Sequence, residues 1–406
     1  MPTVNPEILV WARKTAGLAP DEAARKIRLR DSRDMTAVDK LIAMERGDKD
    51  PTRANLVQMA QQYRRPLLAF YLAQPPPTIT RGVDFRTISG IQSDRMSHLI
   101  DALIREVRSR QSMVRAVLEA EDEVYSLPFV GILRDLKGVS ACTDQAVSYA
   151  VEALYQVLGL DLPTEYYEES GPKAAFDLLR SKVEAAGVFV LLKGNLGSYH
   201  TDIPADVFRG FVIADEIAPF VVINNLDSPS AWSFTLLHEM VHLLLNETGI
   251  SGHGSEMESE VFCNTVASTC LLPTEDLEQV GIKPNQDIIE QEQLISSFAQ
   301  QRNLSHTMVA YRLLRSGSID QLTFEDLRKR FAQRWEHNRR KQRERSRKSR
   351  GGPSYYVVHR YRVGPALLSL TGRMMGSGAL STTKAAKILD VKPTNVGSMI
   401  APFMNP

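Results

Sequence analysis

The chain has few cysteines: three in 406 residues, Cys142, Cys263 and Cys270. That is too few for a disulfide framework and suits a reducing compartment. If 255–271 is helical, Cys263 and Cys270 lie two turns apart, too far to bridge, so all three read as small core residues. No run of 18 apolar residues occurs, and the N-terminus has no basic-then-apolar signal pattern. Together these predict a cytoplasmic chain with no membrane partner. Net charge of one sign is also missing, at +1 overall. That balance hides a local excess, because residues 328–350 hold twelve Lys or Arg against Glu336 and Glu344. Such a tract reads either as a solvated helix or linker, or as a sequence-independent, salt-sensitive phosphate contact. A hydrophobic fraction of 43% with 24% charged residues is that of an ordinary globular chain, long enough for two or three domains.

What is present centres on Phe234-Thr235-Leu236-Leu237-His238-Glu239-Met240-Val241-His242. Positions i and i+4 share a helix face, so His238 and His242 can point at one ion. Glu239, displaced about 100° around the helix, can reach a water activated there. This is the H-E-x-x-H pattern of two metal ligands and a general base on one element. A buried amphipathic helix that merely contains two histidines is the plainer alternative. The flanks argue against it, since Leu236, Leu237, Val241 and Leu243–Leu245 make the segment apolar nearly all round. Buried imidazoles and a buried carboxylate are costly unless paired or bound to metal. A catalytic zinc needs a third protein ligand, and His253, Glu256, Glu258 and Glu260 are the candidates downstream. Glu256 and Glu260 would share one helix face. Glu260 opens the amphipathic part of its segment, followed by Asn264, Ala267 and Leu271 at helical spacing.

Around this centre, short helices are expected over 5–16, from Pro20, over Thr36–Met44 and 54–63, with a fifth beginning near Pro66. Pro75-Pro76-Pro77 marks a boundary. Helical periods follow at 95–122, 143–158 and 172–186. The period then changes: Val188–Leu192, Phe211–Ala214 and Phe220–Asn224 read as strands, with Asp215–Pro219 closing a hairpin. A sheet edge beside the metal helix would let a peptide bind as an added strand. Helices are expected again at 288–300 and 305–315, while Tyr355–Leu370 reads as a strand and 381–389 as another helical unit.

Two stretches resemble known families. Gly17-Leu18-Ala19-Pro20-Asp21-Glu22-Ala23-Ala24, Glu45-Arg46-Gly47-Asp48-Lys49-Asp50-Pro51-Thr52 and the helix Ala54–Tyr63 resemble the XRE-type helix-turn-helix domain. That resemblance implies DNA contact through Arg30, Arg33, Thr36, Lys40 and Arg46, the recognition helix falling near Thr36–Met44. The H-E-x-x-H segment, with Glu260-Val261-Phe262-Cys263-Asn264 and Leu271-Leu272-Pro273, resembles the ImmA/IrrE family of zinc metallopeptidases. By that resemblance Glu260 is the third zinc ligand, beside His238 and His242, and Glu239 is the catalytic base. The chain departs from the family at Met240-Val241, usually Leu-Gly, and at Cys263, usually alanine. Tyr199 and His200 are suspects, by residue type alone, for stabilising an oxyanion.

The expected fold class is α+β. It comprises an all-α helix-turn-helix domain at 1–74, a zincin-like metallopeptidase domain with a small mixed sheet at 75–327, a basic linker at 328–353 and a small C-terminal domain at 354–406. The resemblance implies a stress-responsive zinc endopeptidase that cuts a repressor-like regulator and binds DNA. A second copy of the chain is open as a further partner. The alternative is a non-catalytic transcriptional regulator, or an antitoxin-like protein, on a zincin scaffold. Glu239 argues against that alternative, because a purely structural site needs ligands and no base.

Overall fold

The computed structural model describes residues 4–76, 91–122, 124–136, 143–251, 258–283, 286–348 and 352–403. Cys142, His253 and Glu256 lie outside them. The chain groups into two compact units.

The first unit contains α1 (Pro6–Lys14), α2 (Pro20–Lys26), α3 (Ala37–Arg46) and α4 (Arg53–Gln62), together with the start of the long α5 (Ile91–Ala120) and residues 195–203. Its helix starts follow from local chemistry. Thr36 and Thr52 each form a capping box, with Asp39 and Asn55 respectively, which satisfies two orphan backbone donors reciprocally. Pro6 and Pro20 open α1 and α2, where the missing N–H costs nothing. Ile8, Leu9, Ala12, Leu41, Met44, Leu56 and Met59 bury together. Across α1 and α3, Arg13 grips Glu45 with two bonds of 2.6 and 2.8 Å. Where a fifth helix was expected there is only a 3-10 turn, Leu67–Tyr71, since Leu72 is extended and prolines follow.

The second unit begins with the remainder of α5, then α6 (Asp144–Leu158) and α7 (Pro172–Ala185). Next come β1 (Phe189–Leu192), β2 (Gly210–Ile213) and β3 (Phe220–Ile223), then α8 (Pro229–Leu244), β4 (Gly249–Ser251) and α9 (Glu258–Leu271). α10 (Ile288–Gln301), α11 (His306–Arg315), α12 (Gln321–Lys348), α13 (Tyr355–Val363), α14 (Pro365–Gly376), α15 (Thr382–Leu389) and α16 (Val396–Ile400) complete it. The class is α+β, mostly helical, and no described helix is long and apolar enough to cross a membrane.

The sheet runs β1-β3-β2-β4. β1 lies parallel to β3, while β2 is antiparallel to both β3 and β4. Every residue of β1–β3 is buried, which explains continuous apolar runs in place of alternation. The β2–β3 hairpin closes over 214–219 as expected, while β4 was not foreseen. Its three residues, Gly-Ile-Ser, are too short a run to show a period.

Tyr355–Leu370 is not a strand. Ser354 caps α13 by accepting from the Val357 N–H, and Gly364-Pro365 breaks that helix and starts α14. The break is held against the sheet. Arg180, on α7, donates to the carbonyls of Val190 and Tyr361 and to Glu184, and Glu184 in turn accepts from the Ala366 N–H at 3.0 Å. A Cβ at Gly364 would lie 2.4 Å from both Arg180 Nη2 and Glu184 Oε1, at a φ of +94°, so glycine is required there. This packing covers the outer side of β1, and β4 is the other edge of the sheet.

Candidate metal centre

α8 starts with Ser228 as N-cap and Pro229 in its first turn. From Ala231 to Leu244 every residue except Phe234 is buried. The helix lies between α9, α7 and the β2–β3 hairpin. It therefore carries His238, Glu239 and His242 into a dry interior, at 3%, 0% and 4% exposure. α9 packs along it and brings Glu260, equally buried, to meet them.

His238 Nε2 and His242 Nε2 are 3.1 Å apart. Glu260 Oε1 lies 3.0 Å from His242 Nε2, and Oε2 lies 3.3 Å from His238 Nε2. Three donors bound at the roughly 2.0–2.1 Å typical of zinc ligands, at tetrahedral angles, stand about 3.3 Å from one another. The donor set and its spacing fit a small divalent ion such as zinc. Among the described residues this is the one His/Cys/Asp/Glu group that could hold a metal.

Burial and mutual contact set the ionisation of the trio. Burial pushes Glu260 up, but hydrogen bonds from both imidazoles outweigh it and hold the carboxylate well below its ordinary range. Burial lowers His238, helped by its neighbour His242. Burial also pushes His242 down, but Cys263, Glu247 and Glu260 together hold it well above the usual imidazole value. The carboxylate between the two imidazoles is thus ready as a ligand, while His242 has to give up its proton to a bound metal.

The support of His242 was not foreseen. Asn246 adopts a left-handed φ of 53° just past the end of α8. The Asn246 N–H bonds to Leu243 O and the Glu247 N–H to Leu243's predecessor, His242, at 2.8 Å. This is the Schellman pattern, which folds the chain back over the last turn. It swings Glu247 round so that Oε2 lies 3.4 Å from His242 Nδ1. Cys263, the position where alanine is usual, also lies against that nitrogen, with Sγ at 3.7 Å. A carboxylate on the outer nitrogen of a ligating histidine fixes its tautomer and ring orientation. Glu247→Ala should therefore weaken metal binding roughly 10–100-fold with the fold intact. Competition with a chromophoric chelator measures this, and unchanged affinity would remove Glu247 from the centre.

Glu239 faces the first residue of β2. A Cβ on Gly210 would lie 2.8 Å from Glu239 Oε1 and 2.6 Å from Thr235 Cγ2. The bare glycine thus leaves room for this carboxylate under the sheet.

A cleft of about 220 Å³ opens onto His238. α8 lines it with Phe234 and Thr235, α11 with Met308 and Tyr311, and Asn264 of α9 is also in its wall. Tyr199 and His200 do not line it. They sit on a 3-10 turn of the first unit, with ring centroids 3.8 Å apart.

Residues 190–314 match the IrrE N-terminal-like domain family, Peptidase_M78. The match runs from β1 to α11 and so contains the sheet, all three candidate ligands and Glu239. It supports the ImmA/IrrE resemblance and points to a regulatory protease of metallopeptidase type. Comparison with curated proteins finds no match to the chain. Within the Peptidase_M78 region, Cys263 and Cys270 are buried free thiols on α9, as small core residues should be.

The DNA-contact candidates belong to the first unit. Arg30, Arg33, Thr36 and Arg46 are exposed, while Lys40 is partly buried, its Nζ donating to Arg30 O at 2.6 Å. The Thr36 hydroxyl is already engaged by Asp39 in the α3 capping box.

Proposed function

We propose that this chain is a zinc-dependent endopeptidase that cuts a specific partner protein, a repressor-like transcriptional regulator, in the cytoplasm. The observation that carries the reading is the buried trio His238, His242 and Glu260 with Glu239 on the same helix. When bound, zinc supplies Lewis acidity that makes water a nucleophile near neutral pH. His238, His242 and Glu260 are its ligands, and Glu247 holds His242 in the ligating orientation. Glu239 takes the proton of the attacking water and passes it to the leaving amine. Complete burial keeps that carboxylate away from bulk water. The β4 edge offers backbone groups to an extended substrate.

Comparing the proteins of cells that express wild type with those of cells that express Glu239→Gln tests the proposal. It expects one protein to be shortened in the wild type alone. Identical proteomes, with zinc bound in both forms, count against it.

Residues 1–74 are on this reading an XRE-type helix-turn-helix domain that brings the peptidase domain at 75–327 to DNA. The segment 328–353 adds phosphate contacts, and 354–406 forms a small C-terminal domain. The exposed Arg30, Arg33 and Arg46 support the DNA reading. Reversing Arg33 and Arg46 to glutamate should weaken binding to random duplex DNA at low salt by well over about tenfold and flatten its salt dependence. Unaltered retention in a gel-shift titration would argue for a protein-docking role.

A further inference from the structure

The cleft beside His238 has a composition that the metal centre alone does not explain. Phe234, Met308, Tyr311 and Phe324 make part of its lining apolar, with Tyr311 and Phe324 packed edge to face at 6.3 Å. Arg209 and Arg328 also line it, beside the neutral polar Thr235, Asn264, Ser305 and Thr307, and no carboxylate is among the lining residues. Arg209 has only a loose pairing with Asp227, at 3.7 Å. Arg328 is exposed and has no ion-pair partner among the described residues. Its neighbours on α12 do have partners: Arg330 binds Asp326 and Glu292, Arg334 binds Glu292, and Arg340 binds Glu336. Three arginines of this helix thus have acidic partners, whereas Arg328, at the cleft, has none among the described residues.

An apolar pocket with convergent positive charge and no internal counter-charge selects by complementarity. We infer that the cleft takes a peptide carrying a large apolar side chain next to an acidic residue. The apolar side chain seats among Phe234, Tyr311 and Phe324, and the carboxylate meets Arg328, with Arg209 as second donor. The guanidinium fork suits a carboxylate better than a lysine would. This rests on the peptidase reading, in which the cleft is the entrance to the reacting centre. It adds what that reading lacks, the chemical class of the segment that is recognised.

The test uses the full chain as the zinc-loaded Glu239→Gln form, which holds a peptide without cutting it. Fluorescein-labelled peptides with the cores Gly-Ser-Glu-Phe-Leu-Gly-Ser and Gly-Ser-Lys-Phe-Leu-Gly-Ser are titrated by anisotropy. The glutamate peptide should bind about tenfold or more tightly than the lysine peptide. Adding Arg328→Glu should reverse that order while leaving zinc content unchanged, because the side chain is exposed and supports nothing in the core. Equal affinities, or no binding of either peptide, overturn the assignment. The same peptides are then incubated with zinc-loaded wild type and read by mass spectrometry. A glutamate peptide that binds but stays intact contradicts the peptidase reading and leaves the cleft assignment standing.

Discussion

Replacing Glu239 by glutamine is expected to stop proteolysis while zinc stays bound. The substitution keeps the shape of a side chain that is completely buried, so packing is preserved. It removes the negative oxygen that accepts a proton, and a positioned general base contributes roughly 10²–10⁴-fold to rate. Glu239 is not one of the three clustered residues that could hold a metal, so metal content and thermal midpoint should stay close to wild type. Turnover of the protein substrate in vitro, with zinc measured on the same samples, checks both halves. Activity retained in the glutamine form would mean that another group moves the proton.

Replacing Glu260 by alanine should have the larger structural effect. The carboxylate oxygens lie 3.3 and 3.0 Å from the two imidazoles, and all three side chains are at most 5% exposed. Its loss removes one of the three proposed ligands, which on the proposed function must cost more than the roughly 10–100-fold assigned to a supporting residue such as Glu247. It also leaves two buried imidazoles facing each other at 3.1 Å, with Glu247 on the far side of His242 as the remaining counter-charge. Removing one partner from a buried charged pair costs about 3–5 kcal/mol. The expected result is a chain without zinc that unfolds at clearly lower denaturant, whereas Glu239→Gln does not. Denaturant titration of the two variants side by side separates them. Equal stability and full zinc content in Glu260→Ala would take Glu260 out of the centre.

The core of the site was readable because helical periodicity is local. His238 and His242 share a face by spacing alone, and the apolar residues around them announced burial. Glu260 was readable in part: helical spacing favoured it, and the resemblance to a known pattern singled it out. Residues brought in by tertiary structure were not readable. Glu247 follows His242 by five positions, which on a continued helix would not bring it back over His242's ring. Only the left-handed Asn246 returns it. Gly210 faces Glu239 through the β2–β3 hairpin, across 29 positions of sequence, and no pattern links them. Tyr311, Phe324 and Arg328 reach the cleft because α11 and α12 pack there. In the fold, most helix and strand positions followed from capping residues and period. The exception at Tyr355–Leu370 shows that β-branched and aromatic content yields to a good cap, here Ser354.

Native mass spectrometry of the full chain after zinc loading and desalting tests the central claim most directly. Wild type and Glu239→Gln should each carry one zinc per chain, and His238→Ala and His242→Ala none. Stoichiometric zinc that survives loss of either histidine would place the metal elsewhere and contradict the account.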